Sequence, residues 1–276
     1  MTHRTEVLYL VGDRFGALAA NEGVATAGGF VKELQAGRYS DPELRLTLIN
    51  GQGMSSYEWD WVAREITRYG AGDRISVPEL MPSLAFRDEA HKHRQQNVLI
   101  AGLRQIDALR YQADLRLDND NELLLDHTTG QHIQGMIIIE AARQMFLAVT
   151  ERFYASAWPE RQYYYVIKSF DTDFENFLFP LDATVDYEIL SASIDNPERL
   201  SFGVEIAVNQ GGARASLSRV EFTAFESDLI SQKEGKRAAR TVEQVRLART
   251  EQERDGEQER DGAQEHEGEL AGAGSR

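Results

Sequence analysis

The sequence predicts an α+β fold in which one long apolar helix is wrapped by a curled antiparallel sheet, after a small α/β lobe and before a disordered acidic tail. Three observations carry this expectation. The run from Gly135 to about Tyr154 has the length of a helix and is hydrophobic on nearly every side, so it must be enclosed. Several segments around it alternate apolar and polar residues, the period of a strand with one buried face. Residues 1–75 switch between the strand and helix periods, which predicts strand, helix, strand, helix.

The 276 residues, 42% of them hydrophobic, leave room for one large or two small domains and a tail. A formal charge of −15 argues against a nucleic-acid-binding surface, which needs clustered Lys and Arg. The chain has no cysteine, so disulfides, thiolate metal sites and Cys nucleophiles are excluded. No metal or cofactor is expected. Val7 to Val11 is too short for a signal segment or a membrane span and ends at Asp13 and Arg14. The expectation is a cytoplasmic protein without membrane contact.

In the lobe, residues 1–75, Val7 to Val11 and Arg45 to Ile49 read as buried strands. Phe15 to Leu34 carries helical spacing that Gly23, Gly28 and Gly29 split. Asn50-Gly51-Gln52-Gly53 forms a turn, and Ser55-x-x-Glu58 is a capping box for a helix with Trp59, Val62, Ile66 and Tyr69. Gly51-x-Gly53 lacks the third glycine of a dinucleotide fingerprint, so a structural role is preferred to phosphate binding. Residues 76–97 read as a linker with Pro78, Pro82 and the basic cluster Arg87, His91, Lys92, His93 and Arg94.

The main domain, residues 98–227, opens on the apolar strand Val98-Leu99-Ile100 and the alternating segment Tyr111 to Leu117. Asn119 to Asn121 turns the chain, and Pro159 stops the long helix from continuing. Strands follow at Tyr163 to Phe170, Ala183 to Leu190, Leu200 to Val208 and Ala215 to Phe225, with a hairpin turn at Asn209-Gln210-Gly211-Gly212. From Asp228 the composition turns to Glu, Gln, Arg, Gly and Ala, and Glu-Gln-Glu-Arg-Asp-Gly occurs twice between Glu251 and Gly262. Without apolar side chains to bury, residues 228–276 are expected to be disordered beyond a short helix reaching Leu247. A helix inside a curled sheet is the hot-dog architecture, and its exposed sheet edge predicts a homodimer.

Chemistry concentrates at the mouth of the long helix. Gly135 lets a ligand approach the backbone, and the amides of the first turn can hold a thioester carbonyl and its developing oxyanion. Glu140, Arg143 and Gln144 share one helix face at i, i+3 and i+4. Glu140 reads as a general base tuned by burial and by Arg143, or as half of an ion pair that satisfies itself. His127 and His132 flank the mouth, and Met136-Ile137-Ile138-Ile139 is core.

The segments Asp126-His127, His132-Ile133-Gln134-Gly135-Met136 and Glu140-Ala141-Ala142-Arg143-Gln144 resemble the signature of the A-factor biosynthesis (AfsA-type) family of hot-dog proteins, associated with γ-butyrolactone signal synthesis. His91-Lys92 is similar to the His-Lys pair that often opens the family's repeat. The resemblance covers about Ala90 to Glu226. It departs at Gln134, where the family usually has proline, and in residues 1–75, which carry no second signature. The resemblance implies transfer of a β-ketoacyl group from an acyl carrier protein or coenzyme A to the hydroxyl of dihydroxyacetone phosphate. It implies that Glu140 with His132 or His127 activates that hydroxyl, with Asp126, Met136 and Gln144 lining the substrate. Arg143, Lys92 and Arg94 then receive the phosphate, and the amide after Gly135 polarises the thioester.

Three other readings stay open. A 3-hydroxyacyl-thioester dehydratase also places an acid after glycine, as Gly135 to Ala141 does, but the His-Phe-Pro-Gly segment usual before it is absent. A thioesterase differs only in using water as acceptor. A non-catalytic acyl-binding or regulatory module would use the enclosed helix to hold a lipid tail.

Overall fold

In a computed structural model of the chain, residues 4–77, 83–125 and 130–272 are described. They divide into two units, one of residues 1–161 and 165–224, the other of residues 162–164 and 225–276.

In the first unit the lobe is built on a parallel sheet. Strands β1 (Arg4–Val11), β2 (Val24–Thr26), β3 (Leu44–Asn50) and β4 (Ile75–Ser76) lie in the order β2-β1-β3-β4. Helix α1 (Ala27–Gln35) starts at Thr26, whose hydroxyl accepts from the Gly29 amide. Helix α2 (Ser56–Arg68) starts at the expected capping box, with Ser55 and Glu58 bonded reciprocally. Phe30, Val31 and Leu34 of α1 and Val62 and Ile66 of α2 share a core with Leu44, Leu46 and Leu48, which alternate along β3, so both helices cover one face of the sheet. The helix expected from Phe15 to Leu34 is corrected here. Its first half is two short 3-10 turns and strand β2, because Gly23 at φ 79° turns the chain back alongside β1.

The glycine turn after β3 joins the lobe to the rest of the unit. Gln52 is fully buried; its side chain accepts from the Leu117 amide at 2.7 Å and donates to the Leu115 carbonyl at 2.9 Å and the Leu181 carbonyl at 3.2 Å. Its backbone N–H donates to Pro180, and that of Gly53 to Leu117. A Cβ on Gly51 would lie 2.9 Å from the Pro180 oxygen, and one on Gly53, at φ 73°, would strike the Phe15 ring. The glycines permit backbone to meet backbone, which accounts for them without a phosphate.

The main sheet is antiparallel between consecutive neighbours β5 (Ile100–Gln105), β6 (Arg110–Leu115), β8 (Thr184–Ser193) and β9 (Arg199–Gln210). It continues through β10 (Ala213–Glu226) to the edge strand β7 (Tyr163–Phe174), in the order β5-β6-β8-β9-β10-β7. Gly211 and Gly212, both at positive φ, make the tight turn between β9 and β10. After the short helix α3 (Glu122–Leu125), helix α4 (Gly135–Phe153) buries Ile137, Ile138, Ala141, Ala142 and every residue from Gln144 to Thr150. Phe146 stacks on Phe222 with ring centroids 4.4 Å apart, and Phe222 in turn on Phe202 at 5.3 Å. Each such buried ring contributes about 2–3 kcal/mol, so this aromatic stack is the seam that fixes the helix against the sheet. The long central helix and the wrapping sheet of six strands are those the sequence predicts.

The second unit holds α5 (Ser227–Gly272), and residues 231–253 are exposed on every side. The helix expected to reach Leu247 lies within α5. Ala, Arg, Glu and Gln are strong helix formers, and a lack of apolar side chains denies a segment a core without denying it a helix.

Candidate functional site

Two clusters occupy the entrance half of α4. The outer one lies at the helix mouth. No side chain of Gln134 caps the helix, and Gly135 opens it. His132, Ile133, Gly135 and Ile138 line a cavity of about 550 Å³ with Phe174, Phe177 and Leu178. The His132 ring lies against Phe177 at 5.1 Å between centroids. A Cβ on Gly135 would lie 3.0 Å from the Phe174 ring, so the glycine lets the aromatic edge sit directly on the first turn. Phe174 is 54% exposed and Phe177 71%, high for large apolar side chains. Met136, in the same first turn, is exposed too.

The inner cluster centres on Glu140. Its carboxylate receives the Lys92 Nζ at 2.5 Å, Arg143 Nε at 2.9 Å and Nη2 at 3.2 Å, and Gln144 Nε2 at 3.0 Å. Burial alone would raise its pKa, but the hydrogen bonds from Arg143 and Lys92 outweigh it and hold the carboxyl below its ordinary range. Gln144 is fully buried; besides reaching Glu140 it donates to the Asn97 carbonyl and accepts from the Leu99 amide, both at 2.8 Å. The cluster thereby ties α4 to the chain entering β5.

The His91-Lys92 pair makes the other tie. His91 sits in the left-handed region at φ 51°, a conformation that costs a non-glycine residue energy unless its surroundings enforce it. Its Nε2 meets Glu151 at 3.1 Å while Lys92 meets Glu140, so adjacent side chains grip helix α4 at two points about three turns apart.

The structure thus brings His132 to Gly135, and Lys92 to Glu140, Arg143 and Gln144, as two neighbouring groups. The self-satisfied ion pair is the reading of Glu140 and Arg143 that the geometry favours, since a carboxylate with a lowered pKa and four donors is a weak proton acceptor. Arg94 joins neither group: it pairs with Glu122 at 2.7 Å on the surface. Asp126 and His127 lie outside the described residues. Phe174 and Phe177 were missed by sequence reasoning, because in a strand and its following loop nothing distinguishes them from core aromatics. Among the described residues no group of His, Asp or Glu is arranged to hold a metal, and no helix is long and apolar enough to cross a membrane.

No curated protein matches the chain. Among solved structures it is similar to a mutant of the thioesterase PA1618 from Pseudomonas aeruginosa, at 15% identity over 54% of this chain and 97% of that one, with a TM-score of 0.38. It is also similar to a putative thioesterase, yhdA, from Lactococcus lactis, at 12% identity over 48% of this chain and 96% of that one, TM-score 0.35. A third is AziG from S. sahachiroi, at 16% identity over 45% of this chain and 90% of that one, TM-score 0.31. The model of the A-factor biosynthesis hotdog domain, AfsA, matches residues 81–226, which take in the whole of α4, the His91-Lys92 grip and the six-stranded sheet. Over more than half its length, this chain belongs to the AfsA hotdog family.

Proposed function

We propose that the protein binds an acyl thioester at the mouth of α4 and transfers its β-ketoacyl group to a small hydroxylated acceptor, by resemblance dihydroxyacetone phosphate. The observation that carries the reading is the cavity where an imidazole, a helix start at a glycine that the Gln134 side chain does not cap, and exposed aromatic rings meet. The thioester carbonyl would accept from the amide after Gly135, where the positive end of the helix dipole favours a developing oxyanion. His132 would take the proton of the acceptor hydroxyl as its oxygen bonds to the carbonyl carbon. The C–S bond then breaks, and the thiolate leaves with that proton. Phe174 and Phe177 would cover the acyl chain. Lys92 and Arg143, held by Glu140 on an adjoining face of α4 and outside the lining of that cavity, would offer a net positive charge to the acceptor's phosphate beside it. Edge strand β7, with Val166, Ile167 and Phe174 exposed, is the edge on which a homodimer would form.

One observation favours a second reading, thioester hydrolysis. Lys92 and Arg143 are both engaged by Glu140, so an incoming phosphate competes for cations already paired, whereas water does not. Incubation with β-ketoacyl thioesters, with and without dihydroxyacetone phosphate, separates the two through thiol release and product mass. Release that requires the acceptor is the expected result. Acceptor-independent release indicates a thioesterase, loss of water a dehydratase, and no reaction with retained binding an acyl-binding module.

A further inference from the structure

Beside the mouth of α4 the sheet buries a hydroxyl that the fold leaves unused. Ser216 of β10 is fully buried, and its Oγ has no hydrogen-bond partner among the described residues. A buried hydroxyl in that state has given up water without replacing it, which native structures seldom tolerate without a reason. Its position follows from its neighbours. Thr172 Oγ1 meets Ser218 Oγ at 2.9 Å and Glu175 pairs with Arg214 at 2.7 Å, so β7 and β10 run antiparallel here and Phe174 stands opposite Ser216. Ser216, Ser218 and Phe222 alternate along β10 and share the face on which Phe222 stacks against Phe146 of α4. Phe174 reaches the first turn of that helix and lines the cavity at its mouth. At Thr172 and Ser218 two hydroxyls satisfy each other. At Ser216 the side chain opposite is a phenyl ring, which has no lone pair to accept the proton.

We infer that Ser216 selects β-ketoacyl over saturated acyl groups, its hydroxyl donating to the β-keto oxygen once the Phe174 ring has turned aside. The inference rests on the proposed binding of an acyl thioester at this mouth. With the thioester carbonyl on the first helical amides, the β-keto oxygen lies two carbons further along the chain and needs its own donor where water is excluded. The rest of the wall offers none. Ile133, Ile138 and Leu178 are aliphatic and buried, the Asn176 Nδ2 donates to the Arg214 carbonyl at 2.7 Å, and the Glu175 carboxylate accepts from Arg214. Phe174, more than half exposed on an edge strand, has solvent to move into, whereas Ser216 is held on β10 between β9 and β7. A saturated chain in the same place would leave the hydroxyl unpaired, and a site built to bond a substrate's polar group rejects the analogue that lacks it.

The test is binding of two coenzyme A analogues, β-ketodecanoyl and decanoyl, to the full chain; in each a methylene replaces the thioester sulfur, so no acyl group is released. Isothermal titration should show the parent binding the β-keto analogue about tenfold more tightly. Ser216→Ala should abolish most of that preference and leave the decanoyl affinity within about twofold. The urea midpoint of Ser216→Ala should equal or exceed that of the parent, because the alanine removes a hydroxyl the fold does not pair. A preference that survives Ser216→Ala overturns the inference, as does equal weakening of both analogues. So does a lowered urea midpoint or a variant that does not fold, since either gives the hydroxyl a structural task. A preference lost in Ser216→Ala, in a chain that turns over no thioester, keeps Ser216 as the selector and removes the transfer reading. Turnover of β-ketodecanoyl-coenzyme A by a parent without the preference does the reverse, and binding of neither analogue removes both.

Discussion

The turn Gly51-Gln52-Gly53 ahead of α2 and the turn entering α4 at Gly135 present the same signal in sequence, glycine and polar residues before a helix with a buried face. In the structure they diverge. At the first, Gln52 is sunk among backbone groups, Ser55 and Glu58 cap the helix, and each glycine exists because another backbone or ring fills the space. At the second, the Gln134 side chain makes no capping bond, and the neighbours of the glycine are exposed rings and an imidazole beside a cavity. A glycine before a helix therefore marks close approach, and what approaches decides its meaning: buried protein at Gly51 and Gly53, an exposed ring beside a pocket at Gly135.

The strongest way to break this comparison is Gln52→Ala. It strips partners from one buried amide and two buried carbonyls. Unfolding free energy should fall by about 3–5 kcal/mol, measured by urea denaturation, because each buried polar group left without a partner costs about 1–3 kcal/mol. A loss under about 1 kcal/mol would mean that the turn is not the plug described. His132→Ala is the complementary test at the open mouth. Stability should stay within about 0.5 kcal/mol, while thioester turnover falls about 100-fold, the range of a lost proton acceptor. If turnover survives His132→Ala intact, the imidazole is wall rather than reactant.

Much of this contrast was legible in the sequence, and its limits are physical. The long helix, the strands of the curled sheet and the α2 capping box were readable because periodicity and capping are local properties of a chain. Strand β2 was not, since Val24 to Thr26 pairs with β1 through a three-residue register that no local pattern encodes. At the site, the i, i+3, i+4 spacing of Glu140, Arg143 and Gln144 foretold their contact. That Lys92 completes the cluster across 48 positions depends on the strained turn at His91 and on tertiary packing. The lowered pKa of Glu140 follows first from Arg143, which the spacing foretold, and then from Lys92, which it did not.

Glu140 also gives the inner cluster a pH signature. Its folded pKa lies below the ordinary value of 4.5, so the unfolded chain takes up the proton first as pH falls. The stabilisation is therefore complete above about pH 5 and is lost as pH drops through the lowered folded value. Glu140→Gln should cost about 2 kcal/mol at neutral pH by leaving Lys92 and Arg143 half-buried without their counter-charge, and it should flatten this acid limb. Urea midpoints between about pH 3 and pH 7 decide it: an unchanged acid limb in the variant would remove Glu140 from the anchoring role.

The finest test is Gly135→Ala, where stability and function should part. An alanine at this position gains about 0.4–1 kcal/mol by restricting the unfolded chain, and its Cβ sits 3.0 Å from the Phe174 ring. That ring is more than half exposed and can swing away by a few tenths of an ångström, so the net change in unfolding free energy should stay within about 0.5 kcal/mol. The displaced ring and the new methyl both occupy the space above the first helical amides, where the thioester carbonyl is proposed to sit. KM for the thioester should rise about tenfold, corresponding to about 1.4 kcal/mol, with kcat less affected because His132 is untouched. The same substitution at Gly53 has no such escape. Its φ of 73° and the 2.7 Å approach to Phe15, a ring with no solvent to move into, should make Gly53→Ala destabilising and leave KM alone. Equal behaviour of the two alanines would mean that Gly135, like Gly53, only accommodates its own protein.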